Sequence, residues 1–292
     1  MEKAKVYFTK EVSPESIVKM YEKLGVVLPG KVAVKLHSGE EGNQNYMKPE
    51  FVKAIVDKVD GVVVECNTAY EGERNTTDKH KKLMENHGWT KYFDVDILDA
   101  EGPDLVLEIP NGQRIKKNYV GKNIENYDSM LVLSHFKGHP MGGYGGALKQ
   151  LSIGCASSHG KSYIHCVGKE DGSFEDMFKV DQLQFLESMA DAASSVVKYF
   201  KGKIIYINVM CNMSVDCDCC AVAEDPCMKD IGVLISTDPV AIDQACIDLV
   251  YNSTDAGKDH LIERIESRHG VYTIECAAKL GYGTREYELI EV

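Results

Sequence analysis

The sequence predicts an α/β protein with a mostly parallel central sheet and helices on both faces. Short runs of β-branched residues alternate with helical patterns along the 292 residues, and this alternation is typical of parallel sheets. Some of these runs, such as 61–66 (GVVVEC), are apolar almost throughout, as expected for strands that are covered on both faces. No long linker, internal repeat or low-complexity tract interrupts the pattern.

The first half of the chain is predicted to alternate regularly between strands and helices. Its first helix begins where Ser13 can cap the first turn and where Pro14 suits the first helical position. Its second helix carries an apolar face that would pack on the sheet. The predicted strands are residues 5–8, 31–36, 61–66 and 94–98, and the predicted helices are residues 13–25, 49–59 and 77–87.

The second half begins with a change of pattern. Residues 105–119 are predicted to form a β-hairpin with its turn at 111–112 (NG), a sequence that favours tight turns. A buried strand and a polar, glycine-rich loop follow, and two more helices and a strand at 286–290 end the chain. The other predicted elements are strands 129–133, 203–209 and 232–235, the loop 134–146, and helices 181–200 and 238–251. We expect one domain over residues 1–292, and a subdomain boundary near 150–200 remains open.

The charge balance excludes two classes of partner. Asp and Glu number 45 against 33 Lys and Arg, which gives a formal net charge of −12. Nucleic acids and anionic membranes need a basic face, so neither is expected as a partner. No apolar stretch is long enough to span a membrane. Residues 1–5 (MEKAK) lack the apolar core of a signal peptide, so we expect the protein in the cytoplasm.

Cysteine is the one abnormal residue count. Five of the ten cysteines fall within seventeen residues: Cys211, Cys217, Cys219, Cys220 and Cys227. In a reducing compartment, clustered cysteines more often hold a metal or a cluster than form disulfides. Thiolates select zinc, copper(I) or iron–sulfur clusters. We expect an iron–sulfur cluster, of the 4Fe–4S type, with zinc as the alternative and a metal-free loop as the third reading.

Residues 134–149 (SHFKGHPMGGYGGALK) follow a buried strand, where ligand sites of open α/β sheets collect. Histidines and lysines there can bind an anion or move protons. The glycines let backbone N–H groups approach a ligand. The predicted ligand-binding residues of this segment are His135, Lys137, Gly142, Gly143, Gly145 and Gly146, and the predicted catalytic residues are His139 and Lys149.

A second polar segment also follows a predicted strand. Strand alternation points Lys35 and His37 in the same direction. The carboxyl ends of parallel strands gather at one edge of a sheet, so these side chains are expected to share a crevice with His139 and Lys149. We predict that Lys35 binds the ligand and that His37 is catalytic. Lys149 would hold an anion and a histidine would transfer a proton.

Several segments, running in order along the chain, resemble the DUF362 family. They are 34–39 (VKLHSG), 134–139 (SHFKGH), 143–149 (GYGGALK), 151–157 (LSIGCAS), 217–220 (CDCC) and 230–245 (DIGVLISTDPVAIDQA). The resemblance implies an iron–sulfur-binding protein of unknown function. Many members carry a ferredoxin-type insert after the segment that matches 160–165, and this chain lacks it. A cluster would therefore use Cys217 and Cys219, with Cys155 next.

A fainter, local resemblance concerns His139 and Lys149. Their His-x9-Lys spacing is similar to a pair at the cofactor and substrate of the nickel-pincer lactate racemase family. It implies a ligand site in the glycine-rich loop and carries no implication of racemisation.

Together these features predict a redox or cluster-dependent enzyme, an oxidoreductase, that acts on a small anionic ligand and exchanges electrons with a redox partner protein. Two alternatives stay open. One is a non-catalytic metal or cluster carrier, or an electron-transfer protein. The other is a zinc-stapled enzyme whose chemistry lies only among the histidines and lysines.

Overall fold

The strands of the protein were located in a computed structural model, which describes residues 3–292. In chain order they are β1 Ala4–Thr9, β2 Val32–Lys35, β3 Gly61–Glu65, β4 Val95–Ile97, β5 Leu105–Glu108, β6 Lys117–Val120, β7 Ser129–His135, β8 Lys137–His139, β9 Gly143–Gly145, β10 Ile204–Met210, β11 Gly232–Ser236 and β12 Tyr287–Glu291. Eight of them form the central sheet, in the order β12-β1-β11-β10-β7-β2-β3-β4.

The central sheet is mostly parallel, which confirms the predicted fold class. Neighbouring strands pair in parallel from β10 through β7, β2 and β3 to β4, and β1 also pairs in parallel with β12. Only β11 runs against its neighbours β1 and β10 among the strands of this sheet in residues 3–292. The strand order reverses between β2 and β7, because the chain moves outward through β3 and β4 and then returns to the other side of β2.

The helices cover both faces of this sheet. They are α1 Pro14–Leu24, α2 Pro49–Lys58, α3 Thr77–Asn86, α4 Ala147–Lys149, α5 Ser158–His165, α6 Gln182–Phe200, α7 Pro239–Tyr251, α8 Lys258–Ser267 and α9 Val271–Leu280. Alternate residues of the strands enter two separate cores: Met130 and Val132 of β7 join one, and Leu131 and Leu133 join the other. The first core contains residues of α6, α7, α8 and α9, and the second contains residues of α1, α2 and α3.

The local signals for the first and sixth helices are confirmed. The Ser13 side chain accepts a hydrogen bond from the Ser16 backbone N–H, and Pro14 occupies the first turn of α1. The Asp181 side chain accepts from the Gln184 N–H at the start of α6. No helix within residues 3–292 is long and apolar enough to cross a membrane.

The hairpin predicted near 105–119 is present as β5 and β6, which pair antiparallel. A second small hairpin, β8 with β9, was not predicted and lies inside the segment expected to be a loop. Helix α5 and the π-helical turn Gln150–Gly154 were also not predicted. Glycine and serine are frequent in these segments, so the usual period of apolar residues is too weak to reveal them.

Candidate functional site

Four adjacent parallel strands end at the same edge of the sheet. These strands are β10, β7, β2 and β3, and the polar segments identified in the sequence begin where they end. The strand order reverses between β2 and β7, and ligands of open α/β sheets bind at such a switch point. The sheet therefore brings together loops that are far apart in the sequence.

The segment after β10 forms a tight turn that collects three thiols. The Cys220 N–H donates to the Cys217 carbonyl at 2.9 Å, and the Cys219 N–H donates to the Cys217 sulfur at 3.4 Å. The Cys219 thiol lies within hydrogen-bonding reach of the thiols of both Cys217 and Cys220. Three soft ligands thus converge within four residues.

Asp218 fixes this turn from the middle. Its two carboxylate oxygens lie 2.9 Å from His135 Nδ1 and 2.6 Å from Lys137 Nζ. His135 Nε2 lies 2.6 Å from the Cys211 carbonyl. Both ring nitrogens therefore lie within hydrogen-bonding distance of an oxygen acceptor. Burial by itself raises the pKa of Asp218, but His135 and Lys137 hold that pKa below its usual range.

His135 and Lys137 contact the cysteine turn, whereas the sequence predicted that they bind the ligand. Neither side chain lies among the residues that line the cavity described below, within residues 3–292. Instead they reach from β7 and β8 to the carboxylate of Asp218 and hold the cysteine turn in place. Sequence reasoning did not identify Asp218, although it stands between two predicted ligands.

The loop after β2 supports the turn from the other side. The Glu40 N–H donates to the Asp218 carbonyl at 2.8 Å. The Asn43 side-chain amide donates to the carbonyls of Cys217 and Cys220, at 3.3 and 2.8 Å. These bonds satisfy the backbone of the turn without using the Cys219 or Cys220 thiol. The turn is therefore preformed by the protein itself.

Two of the predicted catalytic residues lie against these sulfurs. Lys149 Nζ is 3.5 Å from Cys217 Sγ, and His139 Nε2 is 4.0 Å from Cys219 Sγ. Burial by itself raises the pKa of Cys217, but the hydrogen bond from Cys219 and the charges of Lys149 and Lys137 hold it well below its usual value. These contacts therefore favour the thiolate form of Cys217, the form that binds metals.

His139, Cys217 and Cys219 form a group that could hold a metal ion, with ligand atoms within 4.8 Å of one another. The hydrogen bonds of His139 show which of its ring nitrogens carries the proton. Its Nδ1 accepts from the N–H groups of Met141 and Gly142, at 3.2 and 2.8 Å. Burial and the charge of Lys149 lower the pKa of His139 to about 4, so the ring is neutral. Its one proton is then on Nε2, which faces the sulfur as a donor.

A cavity of about 320 Å³ opens beside the cysteine turn. His37, His139, Lys149 and Cys219 all line it, so the predicted catalytic residues do lie along one cavity with the cysteine loop. Their roles stay predictions. Burial and the charge of Arg74 lower the pKa of His37 well below its usual value, so this ring is also neutral.

Lys35 also lines the cavity, but its ammonium group is already satisfied. Nζ donates to the Leu36 carbonyl at 2.6 Å, to Glu65 Oε2 at 2.8 Å and to Gln150 Oε1 at 3.1 Å. An ammonium group has three N–H donors, so none is left for a ligand. Lys35 therefore joins β2 to β3 in the cavity wall, and its predicted part in ligand binding stays a prediction.

The predicted ligand glycines approach other parts of the protein. Gly143 has a φ of 80°, and a Cβ on it would lie 2.8 Å from the Gly270 Cα. A Cβ on Gly146 would lie 2.5 Å from Asp243, which accepts the N–H groups at the start of α4. The remaining two, Gly142 and Gly145, are also absent from the cavity lining within residues 3–292. Close packing therefore explains glycine at Gly143 and Gly146.

The other predicted metal ligands are not brought to the turn. Cys155 lies beside Cys66, whose thiol donates to the Cys155 carbonyl at 3.5 Å, and the Cys227 thiol donates to the Met213 carbonyl at 3.2 Å. Among residues 3–292, neither these two nor Cys211 belongs to the group formed with His139. Cys220 is also outside that group, but its thiol lies beside that of Cys219. Cys246 is buried in the core.

Two of the cavity residues that the sequence did not predict share one helix. Lys161 and His165 lie four residues apart on α5, and both line the cavity. Residues with this spacing share one face of a helix. The signal becomes readable only once α5 is recognised as a helix.

Comparison with known proteins identifies the family. The model of DUF362, a domain of unknown function, matches residues 32–248, which is most of the chain, so the chain belongs to the DUF362 family. A search of curated proteins finds no match.

Two solved structures are distantly similar. The lactate racemase apoprotein from Thermoanaerobacterium thermosaccharolyticum is 15% identical, with a TM-score of 0.41, over 70% of this chain and 50% of that one. A protein from Thermotoga maritima is 12% identical, with a TM-score of 0.40, over 91% of this chain and 58% of that one. The chain thus spans little more than half the length of either structure.

Proposed function

We propose that this DUF362 protein holds a 4Fe–4S cluster on Cys217, Cys219 and Cys220 and uses it in a redox or cluster-dependent reaction on a small anionic ligand. The observation that carries the proposal is a single turn that holds Cys217, Cys219 and Cys220, in which Cys219 lines a cavity together with Lys149 and His139. A cytoplasmic location and a redox partner protein belong to the same proposal.

The residues present fit such a cluster. Thiolates are its usual ligands, and a thiolate-bound cluster is surrounded here by groups that favour negative charge: the Lys149 ammonium and the His139 Nε2–H. Three thiolates are one fewer than the four irons, so one iron would be open to a ligand in the cavity. When bound, the cluster would supply electrons one at a time or a Lewis-acidic iron.

The chain's own residues would perform the remaining steps. Lys149 would attract the anionic group of the ligand toward the sulfurs, because its ammonium has no carboxylate within 4.0 Å among residues 3–292. His139 would donate its Nε2 proton, since its Nδ1 is occupied by two backbone N–H groups. His165 Nδ1 lies 2.7 Å from the Lys161 carbonyl, which leaves Nε2 able to accept a proton.

The tautomer of His139 argues against the zinc alternative. A structural zinc site is four-coordinate, and here the fourth ligand beside three thiolates would be His139. Binding through Nε2 would require the ring to give up either that proton or both backbone hydrogen bonds at Nδ1. The cavity in turn argues against a pure carrier, which has no need of buried histidines and lysines around it.

The first test is the colour and metal content of the protein. Protein purified without oxygen is expected to be brown, with an absorption band near ~400 nm from thiolate–iron charge transfer. Iron and sulfide should be found in equal amounts. Colourless protein that contains zinc alone would contradict the iron–sulfur cluster but would still support a metal site. Protein that contains neither iron nor zinc would contradict both the cluster and the metal site.

A second test separates a histidine ligand from a histidine donor. We expect His139→Leu to keep its iron, and its cluster should have a lower reduction potential because one hydrogen bond to sulfur is lost. Metal analysis and a potentiometric titration measure the two effects. The matched control is His159→Leu, a histidine whose side chain is 43% exposed, which should change neither. Loss of metal from His139→Leu alone would instead make His139 a ligand.

A further inference from the structure

We infer that the ligand is an organic dianion whose two acidic groups are held by Lys149 and Lys161. The inference deepens the proposed function and rests on it for an anionic ligand in this cavity. Lys149 lies beside Cys217, and Lys161 lies near Cys66 in the wall of the same cavity. Nothing in the sequence pattern separated Lys161 from the other lysines of the chain.

Lys161 is a buried cation without a counter-ion. Only 9% of the residue is exposed, and its ammonium lines the cavity. Its one hydrogen bond within residues 3–292 goes to the Ala156 carbonyl at 2.6 Å, and no carboxylate of those residues lies within 4.0 Å. The Asp99 carboxylate contributes to its surroundings, but that group already accepts the N–H groups of Asn67 and Ser158.

Two other buried lysines, Lys35 and Lys137, each have a carboxylate partner. Lys35 is paired with Glu65 at 2.8 Å, and Lys137 is paired with Asp218 at 2.6 Å. A buried ammonium without such a partner carries a large desolvation cost. Burial lowers the pKa of Lys161. Its ammonium form retains two N–H donors and a positive charge that an acidic group of a ligand would satisfy.

Lys149 supplies the second positive charge. The only hydrogen bond of the Lys149 ammonium group within residues 3–292 is to the Cys217 sulfur, at 3.5 Å. Burial lowers the pKa of His165 to about 4, and the charges of Lys149 and Lys161 lower it further. Both lysines therefore act on the same part of the cavity, the part beside His165. The one carboxylate in the cavity wall, Glu65, is neutralised by Lys35.

The remaining lining limits the body of the ligand. The cavity measures about 320 Å³, and apolar side chains form much of its wall: Met141, Ile153, Phe174, Met177 and Phe178. A short carbon chain suits this surface, because apolar groups gain free energy on leaving water. The cavity therefore matches two acidic groups joined by a small hydrocarbon body.

The experiment uses the full-length, metal-loaded protein and two four-carbon probes, succinate as the dianion and butyrate as the monoanion. At constant ionic strength, the wild type is expected to bind succinate about tenfold or more tighter than butyrate, since a charge-assisted hydrogen bond is worth that much. In Lys161→Met the ratio should fall to about twofold or less. The control Lys169→Met replaces an exposed lysine paired with Asp176 and should keep the wild-type ratio.

The stability of the ligand-free variants gives a second readout. Lys161→Met should melt at or above the wild-type temperature because it removes an uncompensated buried charge, whereas Lys35→Met should melt lower. The inference is overturned if Lys161→Met destabilises the protein as much as Lys35→Met does, or if succinate has no advantage in the wild type or keeps it in Lys161→Met. Iron content measured on the same samples separates this outcome from a failure of the cluster proposal.

Discussion

Replacing Cys217 or Cys219 by serine is expected to remove most of the bound metal. Both thiols belong to the group that could hold a metal ion, and the charges of Lys149 and Lys137 favour the thiolate form of Cys217. A serine hydroxyl is a harder and far less acidic ligand, so it does not replace a thiolate for iron or zinc. Metal content and the visible spectrum of each variant measure the loss, and Cys220→Ser tests the third ligand in the same way.

The matched control for this experiment is Cys246→Ser. Cys246 belongs to α7, and its thiol is fully buried in the core beside Asn208. Its replacement should therefore affect stability and leave the metal content per folded molecule unchanged. A Cys246→Ser protein that loses its metal while Cys217→Ser remains fully loaded would show that the ligands have been assigned wrongly.

Replacing Asp218 by asparagine is expected to lower the free energy of unfolding by about 3–5 kcal/mol, the usual result of removing one partner from a buried ion pair. Asparagine keeps the shape but leaves the buried Lys137 and His135 facing an uncharged amide. The effect is measured by urea denaturation of the metal-free protein. The control is Asp216→Asn in the same loop, whose partner Arg264 is partly exposed, and its cost should be about 1 kcal/mol or less.

The same variant makes a pH prediction with a definite sign. The pKa of Asp218 lies below its usual value in the folded protein, whereas an unfolded aspartate titrates near ~3.9. Its stabilisation is therefore complete well above pH ~4 and is lost as the pH falls through that value. The wild type should lose stability faster than Asp218→Asn on acidification below about pH 5. The ion-pair account would be ruled out if the stabilities of the wild type and Asp218→Asn fell equally with pH. It would also be ruled out if Asp218→Asn were as stable as Asp216→Asn.

The sequence was most informative where apolar periodicity is strong. Helix α6 and the buried strand β7 were located closely, because a long amphipathic pattern or an unbroken apolar run has one good structural solution. Helix α5 was missed, because Ser158, Gly160 and Ser162 weaken the helical signal. The hairpin of β8 and β9 was missed for a similar reason, since four of the five residues from Gly142 to Gly146 are glycine.

The site shows a different limit of sequence reasoning. The topology of a parallel sheet was sufficient to bring His37, His139 and Lys149 to the cysteine loop. It could not show which lysine is satisfied, because Glu65 and Gln150, the side-chain partners of Lys35, come from other parts of the chain. Residue type and spacing are the same for a lysine that supports a wall and for one that meets a ligand. Only the count of hydrogen-bond partners separates them.

The bond between Asn43 and the cysteine turn has a consequence for the life of the protein in the cell. It joins positions 174 residues apart, so a growing chain makes every strand through β10 before the thiols leave the ribosome. Loading of the proposed cofactor would then follow the synthesis of these strands. Protein hydrogen bonds already shape the turn, unlike small zinc domains that fold only around their metal. With the proposed cluster as cofactor, a cell starved of iron should therefore accumulate folded, cluster-free protein, which could take up its cluster later without new translation.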